Sequence, residues 1–183
     1  MISVSIADMS NIERMLAGFS QSSVEKAIKS AITRTLKGAK QTASRKAAER
    51  YTAKASSIAK TLKVRVTGTV GTLSSSSYRM PLTSFKYKPS KRPKKVTKGN
   101  HYLYSEVIRG QQTLREHAFI ALGNKPFKRT GKSRYPIKML YGPSAAEMLG
   151  KPPTSTFITA KMQERIQVEA MHEVGALLGG FRT

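Results

Sequence analysis

The chain has 183 residues, with 33 Lys and Arg against 10 Asp and Glu, and its formal net charge at pH 7 is +23. Because so dense a positive charge repels itself, it predicts a polyanionic or acidic partner, either nucleic acid or an acidic protein surface. The sequence contains no cysteine, which excludes disulfides, thiolate catalysis and Cys-ligated zinc, and no apolar run approaches the roughly 18 residues that span a bilayer, so we expect no membrane contact.

The length predicts a single domain over residues 1–183. Its expected parts are a helical segment 8–62, a mainly β segment 64–141 with a basic loop 86–100, and a helical segment 144–179. At the N-terminus, the alternation of apolar and polar residues over 2–6 predicts an edge strand. Ser10 with Glu13 then forms the capping box of a short helix that ends near Gly18.

A long helix is predicted to begin at Ser22 or Ser23, because apolar residues then recur at three-and-four spacing for about seven turns. The apolar stripe comprises Val24, Ala27, Ile28, Ala31, Ile32, Leu36, Ala39, Ala43 and Ala47. The opposite face carries Lys26, Lys29, Thr33, Lys37, Lys40 and Arg45. Two interpretations of this basic face stay open, a solvated surface and a contact with nucleic acid.

The central part of the chain switches from helical to alternating patterns. A shorter helix is predicted after Tyr51 by Ala55, Ile58, Ala59 and Leu62, and "KVRVTGTVGTL" then follows period two. Further strands are predicted at "PLTSFKY", "YLYSEVI", "HAFIAL", "FKRTG" and "YPIKMLY", with Gly110 to Thr113 as a hairpin connection. This order predicts an α+β fold in which a long N-terminal helix and a C-terminal helix pack on an antiparallel β-sheet.

No Asp or Glu occurs between Glu49 and Glu106, so something negative is expected to face this interval. Within it, "KPSKRPKKVTKGN" combines two prolines, crowded like charges and a terminal Gly-Asn, which predicts a long mobile loop.

The stretch "FKRTGKSRYPIKMLYGPSAAEML" contains Gly131-Lys132-Ser133, a fragment of the phosphate-cradling loop of nucleotide-binding enzymes. Pro126 stands where that motif needs its first glycine, and proline offers no N–H to an anion. The sequence has a single aspartate, Asp8, far from this stretch, whereas an NTPase needs an acid to hold magnesium. In the same stretch Ser144 and Glu147 form the capping box of a short helix that ends at Gly150.

A last helix is predicted from about Ser155 to Leu178. Its apolar stripe is Ile158, Met162, Ile166, Ala170, Val174 and Leu177, with Glu164, Glu169 and Glu173 off the stripe. A stripe of this length after a Pro-Pro break predicts an assembly interface formed by Phe157, Ile158, Met162, Ile166, Val174 and Leu177. The alternative is that the helix packs back on its own sheet.

Candidate catalytic groups do not converge in the sequence. The three histidines, His101, His117 and His172, lack the spacing of metal ligands, and Glu116 and His117 are expected on opposite faces of a strand. No Gly-x-Ser-x-Gly motif is present. We therefore predict no enzyme activity, no catalytic residues, no cofactor and no metal site.

Three stretches follow one another along the chain: "RYTAKASSIAKTLKV", "MPLTSFKYKP" and "HAFIALGNKPFKRTGKSRYPIKMLYGPSAAEML". In sequence and in order they resemble the minor tail protein Z family, tail-completion proteins of long-tailed bacteriophages, and the resemblance covers most of the chain. Its most specific residues are Phe119-Ile120, Arg129, Gly131, Lys132, Pro136-Ile137 and Leu140 through Ser144. The basic insertion "KPSKRPKKVTKGN" departs from the family pattern.

The resemblance implies a structural virion protein at the head-proximal end of the tail. It would complete the tail and help form the neck, as a homo-oligomeric, hexameric ring through which DNA passes on ejection. Expected partners are tail-terminator, tail-tube or head-connector proteins, with non-specific contact to genomic DNA. The implied location is the tail and neck of the virion, and the host cytoplasm during assembly.

The resemblance also suggests how the charges act, with Gly131-Lys132-Ser133 in a basic strand-turn-strand rather than a catalytic loop. Expected contacts to DNA phosphate or an acidic neighbour are Lys86, Lys88, Lys91, Arg92, Lys94, Lys95, Lys98, Lys128, Arg129, Lys132 and Arg134. For the loop lysines and arginine the alternative is a solvated, disordered segment. The competing function is a basic protein that binds nucleic acid without sequence preference.

Overall fold

The computed structural model of the chain describes residues 2–4, 18–94, 102–152 and 154–179. Within these ranges the helices are α1 (Gln21–Arg50), α2 (Ala55–Thr61), α3 (Ala145–Gly150) and α4 (Thr154–Leu178). The predicted helix that opens at Ser10, residues 95–100 of the predicted basic loop (with Lys95 and Lys98) and His101 lie outside the described residues.

The strands are short and antiparallel. They are β1 (Ile2–Val4), β2 (Leu62–Thr67), β3 (Val70–Ser75), β4 (Arg79–Pro81), β5 (Lys86–Lys88), β6 (Leu103–Glu106), β7 (Gln112–Arg115), β8 (Ala118–Ala121), β9 (Lys125–Arg129), β10 (Ile137–Met139) and β11 (Tyr141–Ser144). In the described ranges they form four sheets, ordered β1-β3-β2, β10-β9-β8, β11-β4 and β5-β6-β7. The predicted α+β class is thereby confirmed, with several small sheets where the sequence suggested one.

The chain divides into two compact units. Unit 1 comprises residues 1–43, 59–75 and 150–183, and unit 2 comprises residues 44–58 and 76–149. The boundaries fall inside α1 and α2. This division alone does not decide whether the chain folds as one domain, so the single domain stays a prediction.

Unit 1 is organised by the antiparallel pairing of α1 and α4. Ala27 clusters with Val174 and Leu177, whereas Gly38, further along α1, lies under the guanidinium of Arg165. The predicted α1 stripe is confirmed, because its members from Ala27 to Ala47 are buried and Val24 is partly buried. Glycine is required at position 71 of β3, where a Cβ atom would lie 2.3 Å from Ile32 Cγ2.

Unit 2 contains three of the sheets and the C-terminal end of α1. The Arg109 guanidinium donates from Nε to the carbonyl oxygen of Ala48 at 2.9 Å, and Arg109 N donates to Arg50 O at 2.9 Å. These bonds satisfy carbonyl groups that a helix end leaves without an intrahelical partner. The next residue after α1, Tyr51, forms an antiparallel bridge with Ile108. The helix end is thus tied to the turn between β6 and β7.

In unit 2 the structure differs from three predicted elements. The predicted strand "PLTSFKY" is interrupted by a 3-10 turn at Leu82–Ser84, because the buried Leu82 directs its N–H to Leu140 O at 2.9 Å. Residues 112–113 belong to strand β7 rather than to a hairpin connection. Glu116 and His117 lie in the following turn, where His117 has φ 57°, so they do not alternate across a strand.

Candidate interaction site

The sheet β10-β9-β8 carries a cleft of about 440 Å³ in unit 2. Register pairs Phe119 with Phe127 and Ile137 with Arg129, so these side chains share one face of the sheet. We call this cavity the arginine cleft; it is lined by Pro89, Arg92, Pro93, Leu103, Phe119, Ile120, Ala121, Leu122, Arg129, Arg134, Tyr135 and Ile137. The lining combines an apolar floor with three arginines and contains no acidic residue.

Two of the arginines lie over aromatic rings. The guanidinium carbon of Arg129 is 5.6 Å from the centre of the Phe119 ring, and that of Arg134 is 5.9 Å from the centre of the Tyr135 ring. A guanidinium that stacks on a ring gains a cation–π attraction and keeps the N–H groups along its edge available to an acceptor. The two cations are therefore held against the cleft wall while their donors remain usable.

One rim of the cleft is fixed by Asn124, in the turn between β8 and β9. Its side-chain Oδ1 accepts a hydrogen bond from Arg92 N at 3.1 Å, and its carbonyl oxygen accepts one from the Tyr87 hydroxyl at 2.9 Å. Asn124 has φ 61°, in the left-handed region that asparagine tolerates better than most residues. The first part of the predicted basic loop is therefore anchored beside the cleft.

The tripeptide Gly131-Lys132-Ser133 lies in the exposed connection between β9 and β10. Thr130 N and Thr130 Oγ1 both donate to Pro136 O, at 3.1 and 3.0 Å, and hold this connection together. A phosphate-cradling loop needs a helix directly after it, so that the helix N-terminus faces the anion. Here a strand follows, which agrees with the strand-turn-strand interpretation.

The predicted basic contacts are distributed over several surfaces. Arg92, Arg129 and Arg134 converge on the cleft, whereas Lys128 lies on the opposite face of β9, paired in register with Lys138. Lys132 is exposed in the β9–β10 connection, and Lys91 and Lys94 are exposed after β5.

The basic loop begins later than predicted. Lys86 and Lys88 belong to β5, paired with β6, and Pro89 ends the strand because it has no N–H for the ladder. Lys86 is also engaged, since its Nζ lies 2.7 Å from the Glu106 carboxylate. The hydrogen bond from Lys86, followed by that from Gly110 N at 3.0 Å, lowers the pKa of Glu106 below its ordinary value.

The predicted basic face of α1 is solvent-facing. Lys26, Lys29 and Lys37 are exposed, Lys40 is half-buried, and none of the four forms an ion pair with a carboxylate in the described ranges. We call these four lysines the α1 row. From residue 26 to residue 40 the row extends about 21 Å along the helix.

Within the described ranges no group of three or more His, Asp or Glu side chains could hold a metal ion. In the same ranges no helix combines the length and apolar character needed to cross a membrane. His172 is exposed on α4, with its Nδ1 3.2 Å from an Arg34 nitrogen.

The comparison with known families is decisive. The sequence profile described as Prophage minor tail protein Z (GPZ) matches residues 8–179. The chain belongs to this family. No curated protein and no solved structure gives a significant match to the chain.

Membership of the minor tail protein Z family identifies the chain as a structural tail protein of a prophage and implies assembly with other tail components in the virion. The match spans both units, including the cleft and both long helices. The family itself does not specify a neck location, a ring or a DNA contact.

The helix that is predicted to form an assembly interface is α4. Its apolar stripe is buried within the chain at Ile158, Met162, Ile166, Val174 and Leu177, and Phe157 is half-buried. This packing favours the alternative in which the helix belongs to its own unit. An assembly role for the six residues stays a prediction that their burial weakens.

The prediction that Glu173 lies off the buried stripe of α4 is wrong. It is buried, with 2% of its side chain exposed, and accepts a hydrogen bond from Ser30 Oγ at 2.8 Å while Arg34 Nη1 lies 3.2 Å away. The spacing of α4 alone placed it off the stripe. Its burial depends on Arg34 and Ser30 of α1, which are remote in sequence.

Sequence reasoning named the three arginines separately but missed the cleft and Asn124. Phe119 and Ile137 are among the specific residues of the family resemblance, and their common face depends on strand register. The Gly-Asn pair at 123–124 was the available signal for Asn124, since this pair favours a tight hairpin turn.

Proposed function

We propose that this chain completes the head-proximal end of a phage tail and, with further copies, forms a hexameric ring in the neck through which DNA passes. The observation that carries the proposal is the family match over residues 8–179. Its neighbours would be tail-terminator, tail-tube or head-connector proteins, assembled in the host cytoplasm.

The charge distribution supports a role beside DNA and acidic neighbours together. Six chains would carry about +138, six times the +23 of one chain, while about 40 Å of duplex DNA presents only about 24 phosphates. Most basic side chains must then face acidic protein surfaces or solvent. The α1 row, whose lysines form no ion pair with a carboxylate of the described residues, is the surface that we assign to loose DNA contact.

The proposal includes no turnover chemistry. Support comes from the β9–β10 connection, whose Gly131-Lys132-Ser133 precedes a strand rather than a helix, and from Pro126, buried within β9. A direct check is ATP and GTP hydrolysis by the pure protein with magnesium. Turnover that disappears in Lys132→Ala would contradict this part of the proposal.

The function is tested with a prophage in which this gene is interrupted. The interruption is made once the host culture can be induced. We expect filled heads and tails to accumulate separately, and infectivity to return when the full chain is supplied from a plasmid. A wild-type yield of infectious particles without the chain would contradict the proposal. If particles from the uninterrupted prophage also lack the protein, the result favours the alternative of a free nucleic-acid-binding protein.

A further inference from the structure

We infer that the arginine cleft binds an acidic segment of a different virion protein, with one apolar side chain of that segment inserted on the cleft floor. This inference rests on the proposed function, because assembly in the tail supplies the neighbouring protein. It adds a partner chemistry and a location that membership of the family does not specify.

The floor of the cleft is suited to an apolar side chain. Leu103 is buried, and Phe119 and Ile137 are half-buried on the face of the sheet that carries Arg129. Leu122 on the rim is 71% exposed. The volume of about 440 Å³ lies within the range of roughly 300–1,000 Å³ that is typical of ligand pockets. Tyr135, a second lining residue, is also exposed, and contiguous exposed apolar surface is a feature of sites that a partner covers.

The three arginines define the charge of the partner. Arg92, Arg129 and Arg134 border the cleft, and in the described part of the chain no carboxylate forms an ion pair with any of them. Guanidinium groups bind carboxylates through paired N–H donors, with a geometry that a lysine ammonium does not offer. A segment with two or more carboxylates around an apolar residue matches both the charge and the floor.

Duplex DNA matches the arginines but not the floor. Its charge lies on phosphates at the outside of a broad rod, whereas its apolar groups lie within the base-pair stack and the grooves. A small cavity with an apolar base therefore gains nothing from contact with the duplex backbone. The α1 row in unit 1 is an open, polar surface and is better suited to phosphates.

A second copy of this chain is a poor source of the acidic segment. No two acids in the sequence stand closer than four residues apart, which corresponds to about 13 Å in an extended segment. The closest pair is Glu169 and Glu173 on α4. Glu173 is buried beside Arg34, and Glu169 accepts a hydrogen bond from Arg165 at 3.1 Å.

The cleft is also partly pre-organised. Asn124 fixes the backbone of Arg92, and the guanidinium carbons of Arg129 and Arg134, both exposed, lie 5.6 and 5.9 Å from ring centres. Groups that are ordered before binding lose less conformational entropy when the partner arrives, which favours a specific site over a diffuse charged surface.

The test uses photo-crosslinking in assembled phage particles. The photoreactive residue p-benzoylphenylalanine is placed at Leu122, on the exposed rim, and purified particles are irradiated and analysed by mass spectrometry. We expect a crosslink to one segment of another virion protein, with at least two acids flanking an apolar residue. Particles with the same probe at Lys138, on the opposite sheet face, should lack this crosslink.

Charge variants give a second measurement on the Leu122 probe. Arg129→Gln with Arg134→Gln should lower the crosslink yield about tenfold, since both charged donors are removed. The matched control is Lys128→Gln with Lys138→Gln, which removes the same charge from the opposite face of the same sheet and should leave the yield within about twofold. Circular dichroism of each purified variant checks that the fold is retained.

The outcomes separate this inference from the proposed function. If the chain is present in particles but Leu122 crosslinks to DNA, to another copy of the chain or to nothing, the cleft inference is wrong. Equal loss of yield in the arginine and lysine variants would also overturn it. If mass spectrometry finds no copy of the chain in purified particles, the proposed function fails and this inference fails with it.

Discussion

At the scale of single residues, Glu106 and two glycines show how local contacts stabilise strands and allow helix α1 to pack closely. Glu106 ends β6 and accepts hydrogen bonds from Lys86 of β5 and from Gly110 in the following turn. Glycine at position 71 allows β3 to approach α1 closely, whereas Gly38 lies under a flexible arginine. The contacts of Glu106 predict that stability depends on pH. The surroundings of the two glycines predict that replacing glycine by alanine changes stability in opposite directions at the two positions.

Glu106 should contribute pH-dependent stability. Its pKa is lowered in the folded chain, first by the Lys86 hydrogen bond, so its contribution is present above the unfolded-state pKa and is lost as pH falls through the folded-state value. Glu106→Gln should therefore lower the free energy of unfolding more at pH 7 than near pH 3, as measured by urea unfolding at both values. Glu116→Gln, in an exposed turn, is the control. An equal effect of Glu106→Gln at both pH values would contradict the prediction.

Gly38→Ala and Gly71→Ala should change stability in opposite directions. The three atoms nearest to a Cβ at position 38 all belong to the Arg165 guanidinium, which can move, and alanine improves helix propensity by about 1 kcal/mol. At position 71 the added Cβ meets Ile32 and Leu36 in the core, which should cost about 1–3 kcal/mol through overpacking. Thermal unfolding of both variants measures the effect. A stabilised Gly71→Ala would show that α1 and β3 can separate without cost.

At the scale of elements, the sequence predicted what depends on local spacing. The helices α1 and α4 were each predictable from a single apolar stripe. The capping box of α3 is confirmed, since Glu147 N donates to Ser144 Oγ at 3.2 Å and Ser144 N donates to Glu147 Oε2 at 2.8 Å. Strand boundaries in unit 2 were less predictable, because the turn at Leu82–Ser84 depends on Leu140, remote in sequence. The cleft was not predictable for the same reason, since it gathers residues from 89 to 137 through register.

The pairing of α1 with α4 should depend on Arg34. Removing its charge takes away a cation that lies 3.2 Å from the buried Glu173 carboxylate, so Arg34→Met should lower the free energy of unfolding by about 1–3 kcal/mol. Methionine keeps much of the apolar stem, which limits lost packing. Lys161→Met is the control, because it removes an exposed pair with Glu164 on α4 and should cost no more than about 0.5 kcal/mol.

A double-mutant cycle separates the charge effect from packing. Adding Glu173→Gln should recover part of the stability lost in Arg34→Met, since a neutral amide is less costly to bury than an uncompensated charge. Urea unfolding measures each corner of the cycle. Additive losses in the double variant would show that the two side chains are not coupled.

At the scale of the whole molecule, a net charge of +23 on each of six chains in the proposed ring would exceed what a DNA contact alone requires, and the described residues carry two different basic surfaces. The α1 row is open and polar, whereas the arginine cleft has an apolar floor. We assign the first to DNA and the second to an acidic protein segment.

The α1 row should account for salt-dependent DNA affinity of the purified chain. Each phosphate contact contributes about 0.9 to the slope of log affinity against log salt. Lys29→Gln with Lys37→Gln should therefore lower the magnitude of the slope by about 1–2. Lys128→Gln with Lys138→Gln, on unit 2, should change it less, as measured by fluorescence anisotropy with a duplex oligonucleotide. A larger change in the unit 2 variant would reassign the DNA contact.

The central claim, that this family member completes the tail at the neck, is tested most directly by an electron cryomicroscopy reconstruction of the head–tail junction in purified particles. The account predicts density that fits units 1 and 2 in each of six positions around the DNA path, between the head connector and the tail tube. It is contradicted if the density at this junction is fully explained by other proteins while the chain is found at the distal tip of the tail or inside the head.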